Sequence, residues 1–154
     1  MEPLRSVTER LAVKAVARLP HAPTEFARNG HGVLYFMWQS PCSEIGALWV
    51  SVQPTEVTLS CKISHTHFSA VRYHGESPTR LKLKRRIVRD GFREVSRFLN
   101  GKVAVTVSYD GQGNVHSYGW CDRSQLPSSM ESLHRIFGEN MSERAWSWSG
   151  EINA

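Results

Sequence analysis

Two histidines one residue apart, His65 and His67, are the residues whose type and spacing could best do chemistry. An imidazole exchanges a proton near neutral pH and is the commonest metal ligand. On an extended strand, residues i and i+2 share a face about 7 Å apart, a spacing from which two imidazoles bind zinc or a similar ion. A site of that kind needs another ligand. His74, Cys61, His31 and His116 are the candidates, and local spacing fixes none of them. Buried histidines usually settle for hydrogen-bond partners, so a structural or interfacial role is preferred and no metal or cofactor is expected.

His67-Phe68-Ser69-Ala70 also matches the histidine-hydrophobic-Ser/Thr-hydrophobic motif and resembles, over those four residues, the two-histidine phosphoesterases. Such enzymes use the motif twice, one histidine as acid and one as base. His116 is followed by Ser117 and Tyr118, which departs from a second copy. A metal- or histidine-dependent hydrolase using His65 and His67 is therefore an alternative. No nucleophile elbow, phosphate-cradling glycine loop or acid/base carboxylate pair accompanies the histidines.

A second cluster is electrostatic. Nine Lys and Arg residues lie between Arg80 and Lys102 against Asp90 and Glu94, a net +7 in a chain whose total is +5. The basic character therefore belongs to one element. Arg86, Arg89, Arg93 and Arg97 recur at helical spacing and could follow a phosphate backbone. Phe92 and Phe98 belong to the apolar stripe, so aromatics that stack bases are not interleaved. Nucleic-acid binding through residues 80–102 is a second alternative.

The histidines are read as the continuation of a strand. Val57, Leu59, Cys61 and Ile63 alternate with Thr58, Ser60 and Lys62, the period of a strand with one buried face. At the same parity His65 and His67 follow on the buried side, with Thr66 and Phe68 on the other. Before it, residues 33–39 and 47–52 read as two strands of an antiparallel meander, after a linker over 21–32. An opening helix is expected over 2–19, with Leu4, Val7, Leu11 and Ala15 as its stripe and Pro20 as its stop.

From about Leu81 to Leu99 the period turns helical, with Val88, Phe92, Val95 and Leu99 inward. Gly91 there implies a kink or a close neighbour, and Asn100-Gly101 the stop. Residues 102–110 and 115–121 read as a hairpin about Asp110-Gly111-Gln112-Gly113-Asn114. A third helix is expected over 128–137, capped by Ser128 or Ser129. A last strand, 144–152, places Trp146 and Trp148 on one face. The order points to one α+β domain over residues 1–154: a mostly antiparallel sheet of about six strands with about three helices, in a single layer on one face.

A chain of 154 residues, 40% apolar and 21% charged, has the composition of a soluble globular protein. No run approaches the roughly 20 apolar residues of a membrane span. Three scattered cysteines, an odd number with no C-x-x-C, argue against a disulfide framework and favour a reducing compartment. The start has no secretory apolar segment. The expectation is a cytoplasmic protein without membrane attachment.

Two blocks, His65-Thr66-His67-Phe68 and Ser147-Trp148-Ser149-Gly150, together resemble small α+β immunity proteins of bacterial polymorphic-toxin systems, over about ten residues. The resemblance implies a non-enzymatic bacterial protein that neutralises a cognate toxin by binding it. The chain departs from the pattern in Ile63-Ser64, in lacking an acid after Phe68, and in its positive charge. Tight interfaces concentrate energy in aromatic and arginine anchors. The expected partner-binding residues are thus His65, His67, Phe68, Arg86, Arg93, Trp146 and Trp148.

Overall fold

The structure, a computed structural model, describes residues 3–73 and 79–152. They form three α-helices and nine strands in two antiparallel sheets, an α+β architecture. The contacts divide the chain into two compact units: Met1–Gln39, Ala47–Ser60 and His65–Ser96 in the first, Ser40–Gly46, Cys61–Ser64 and Arg97–Ala154 in the second. The expectation of one six-stranded sheet is corrected on both counts. Two of its long strands are hairpins, and the linker contains a strand.

The first sheet is a meander of β1 (Glu25–Arg28), β2 (Leu34–Gln39), β3 (Ala47–Gln53), β4 (Glu56–Ser60) and β5 (His65–Ser69), in that order. Leu34, Phe36 and Trp38 of β2, Leu48, Val50 and Val52 of β3, and Val57 and Leu59 of β4 form its buried face. β2, too apolar in sequence to show a face, alternates once paired on both sides. Val57 and Leu59 are inward as expected. Cys61 and Ile63 are half-buried in the β4–β5 loop.

Two helices accompany this sheet. α1 (Val7–Val16) begins one turn later than expected because Ser6 caps it: the Ser6 hydroxyl accepts from Glu9 N–H while Glu9 reaches back to Ser6 N–H. Thr8, Glu9 and Ala12 are its buried residues, so Leu11 and Ala15 keep a half-exposed flank. Glu9 binds Arg28 of β1 in a two-pronged pair at 2.9 Å on each oxygen, and Thr8 Oγ1 donates to the Pro54 carbonyl.

α2 (Arg80–Leu99) buries Ile87, Val88, Phe92 and Val95. Gly91 is there for close approach: a Cβ at this position would stand 2.9 Å from Val57 Cγ1 and 3.7 Å from the Phe68 ring. Phe92 meets Phe36 edge to face, with centroids 5.9 Å apart. The helix stops where expected. Gly101 takes φ +66°, its N–H donating to the Phe98 carbonyl while Lys102 N–H donates to that of Arg97.

The second sheet has the order β7 (Val115–Asp122), β6 (Val103–Tyr109), β8 (Ser142–Ser147), β9 (Gly150–Ile152). The hairpin about Asp110–Asn114 forms as expected, the Asp110 carboxylate accepting from the Gln112 and Asn114 amides. β6 lies inside the sheet and is buried on both faces along most of its length. α3 (Leu126–Phe137) starts two residues early, with Pro127 in its first turn and no side-chain cap from Gln125. Neither Ser128 nor Ser129 caps it. No helix among the described residues is long and apolar enough to cross a membrane.

Candidate functional site

The histidines lie on β5, which is the return strand of a hairpin. Cys61–Ser64 turns the chain, with Cys61 N–H donating to the Ser64 carbonyl, and the pairing sets His65 opposite Ser60, His67 opposite Thr58 and Phe68 opposite Val57. A loop of four residues reverses which parity faces inward. His65 and His67 share a face as expected, with centroids 4.9 Å apart. That face is exposed, which corrects their inward placement.

His67 is held on the open face of the sheet. Its Nδ1 lies 2.8 Å from Glu56 Oε1 and 3.1 Å from Thr58 Oγ1, and Thr58 Oγ1 donates to the same Glu56 oxygen at 2.6 Å. A carboxylate only accepts, so Nδ1 carries the proton and Nε2 is left as the unprotonated nitrogen. The Thr58 hydroxyl first, with His67, holds the Glu56 carboxyl below its ordinary range. Sequence reasoning missed Glu56, because eleven residues and a reversal separate it from His67. His74 lies outside the described residues. Among the described residues no group of three or more His, Cys, Asp or Glu is placed to hold a metal ion; His116 instead packs against Phe137, with centroids 4.6 Å apart.

The expected aromatic anchors divide. Phe68 is 5% exposed, one face toward Gly91 and the Arg72 guanidinium 4.3 Å from its centroid. Trp146 is 4% exposed, with the Arg144 guanidinium 5.0 Å from its ring. Both side chains are buried, so neither is an exposed member of the expected partner-binding set. The expected strand 144–152 is the β8–β9 hairpin, so Trp148 sits in the turn and does not share a strand face with Trp146. It is half-buried, edge-on to Phe98 at 5.7 Å, and its carbonyl accepts from Ser40 Oγ.

The basic helix exposes Arg80, Lys82, Arg85, Arg89 and Arg93, while Lys84, Arg86 and Arg97 are half-buried. Lys82, Arg85, Arg86 and Arg89 line a hollow of about 320 Å³ on α2. Arg86 lies 4.8 Å from the centroid of the Tyr73 ring. A second hollow of about 340 Å³ includes Arg86 and Arg93 with Phe68, Tyr73 and Asp90. Burial, then the hydrogen bond to Asp90, pushes the Tyr73 hydroxyl up to about 12. Asp90 is disfavoured by burial, yet hydrogen bonds from Arg89 and Tyr73 keep its carboxyl below the usual range. It thereby offsets only part of the positive charge.

Sequence reasoning missed a third feature, a groove of about 430 Å³ between α1 and α2. Lys14 and Arg18, one turn apart on α1 and just past its end, face it together with Arg85 and Arg89 of α2. The signal was present as paired i, i+4 cations on two separate segments, but only the fold brings them to one groove. Comparison with protein-family models, curated proteins and solved structures returned no match.

Proposed function

We propose that the protein works by binding another protein, without turnover, as an immunity factor that neutralises a bacterial toxin. The observation that carries this reading is the basic ridge of α2, where exposed Lys82, Arg85 and Arg89 line one hollow with the half-buried Arg86, and exposed Arg93 continues the surface. A concentrated positive surface steers an acidic partner and suppresses wrong ones. The test is to look for a toxin reading frame beside the gene and co-express it with this protein. Wild-type protein is expected to rescue growth and to co-purify with the toxin; failure of both would end the reading.

One observation favours a second reading, a histidine-dependent hydrolase. Glu56 holds His67 Nδ1 as a carboxylate orients a general base, leaving Nε2 unprotonated. Purified protein that hydrolyses a phosphoester, and loses that activity on His67→Ala, would establish it in place of the first.

A further inference from the structure

On the protein-binding reading, we infer that the α1–α2 groove is the docking site for an acidic amphipathic helix of the partner. Its composition is the argument. The floor is apolar: Leu11, Ala15 and Leu19 are half-exposed, backed by the buried Val88 and Phe92. The rim is cationic on both sides, Lys14 and Arg18 facing the groove from one helix and Arg85 and Arg89 from the other, with no acid in the lining. Arg89 is shared with Asp90 at 2.8 Å. Lys14, Arg18 and Arg85 form no ion pair among the described residues.

Each pair of cations is spaced by about one helical turn. Carboxylates at i and i+4 on both flanks of a ligand helix meet that spacing, and an apolar stripe between them meets the floor. A groove of about 430 Å³ takes side chains and not the ~10 Å girth of a helix, so the ligand lies across the mouth with its stripe turned in. A nucleic-acid backbone uses the rim but gains nothing from the floor, which offers no exposed aromatic for a base to stack on. Charge complementarity and the apolar floor together select an acidic protein segment.

The test uses the full chain and a labelled peptide with leucines at helical spacing and glutamates along both flanks, followed by fluorescence anisotropy. Binding is expected to weaken at least ~tenfold with Lys14→Glu/Arg18→Glu, and to weaken similarly when the peptide is scrambled at constant composition. Both replaced residues are exposed, and circular dichroism checks that the fold persists. Equal binding of the scrambled peptide would overturn the inference, since charge alone would then suffice. Tighter, Lys14- and Arg18-dependent binding of single-stranded DNA or anionic vesicles would also overturn it.

The growth assay separates this inference from the reading beneath it. If Lys82→Glu/Arg93→Glu abolishes rescue while Lys14→Glu/Arg18→Glu leaves it intact, the groove assignment fails and the basic-ridge reading stands. If both double variants still rescue, the basic-ridge reading fails as well.

Discussion

The edge strand β5 and the α1–α2 groove belong to the same compact unit and make opposite use of their residues. β5 carries the chemically versatile side chains, yet they stand on an open sheet face, and the His67 side chain is 49% exposed. The groove is made of ordinary leucine, alanine, lysine and arginine, but two helices wall it. Residue type marks the strand; enclosure marks the groove. An apolar floor flanked by cations offers a partner both contact area and charge, which is why the docking proposal rests on the less conspicuous residues.

That comparison depends on both helices being fastened down, and the largest predicted effect removes one fastening. Arg28→Met leaves Glu9 buried without its partner, the pair's side chains both being 8% exposed. A loss of about 3 kcal/mol is expected in chemical denaturation, together with loss of peptide binding in the groove. Glu9→Gln tests the same contact through pH. The Arg28 hydrogen bond holds the Glu9 carboxyl below its ordinary value of 4.5. A depressed carboxylate contributes stability above its unfolded pKa and loses it as pH falls through the folded one. The deficit of Glu9→Gln should thus be full at neutral pH and shrink on acidification below 4.5.

The other wall is tested at Gly91. Alanine there gains about 1 kcal/mol of helix propensity but forces a methyl against Val57, an overpacking that costs about 1–3 kcal/mol. Net destabilisation is expected. Val57→Ala should be less damaging in the Gly91→Ala background than alone, measured as a double-mutant cycle by urea denaturation.

How much of this was legible follows from which signals survive folding. The period of α2 and its Gly101 stop rest on neighbours in sequence, and both hold; Gly91 signalled a close neighbour, but that Val57 and Phe68 supply it came only with the fold. The histidine strand misled for a physical reason. Its turn, Cys-Lys-Ile-Ser, has no glycine, proline or asparagine, and Cys61 and Ile63 prolong the alternation straight through the reversal. The Trp146–Trp148 strand failed similarly, a tight hairpin turn hiding inside a period-2 pattern. β1 was missed because Glu25–Arg28 is a short edge strand, half-buried throughout. The groove was legible only as two separate i, i+4 cation pairs: its two walls are more than sixty residues apart, and nothing local joins them.

A smaller effect sharpens the contrast from the other side. His65→Ala/His67→Ala removes exposed side chains, so stability should change by no more than about 0.5 kcal/mol in the same denaturation assay. A loss several times larger would mean that β5 is structurally more important than its exposure implies.

The most direct test is growth rescue against the toxin by three proteins: wild type, Lys82→Glu/Arg93→Glu, and His65→Ala/His67→Ala. Partner binding through the basic helix predicts rescue by the wild type and by the histidine variant, and none by the charge-reversed one. Rescue by the charge-reversed protein together with failure of the histidine variant would contradict the account and move the site to β5.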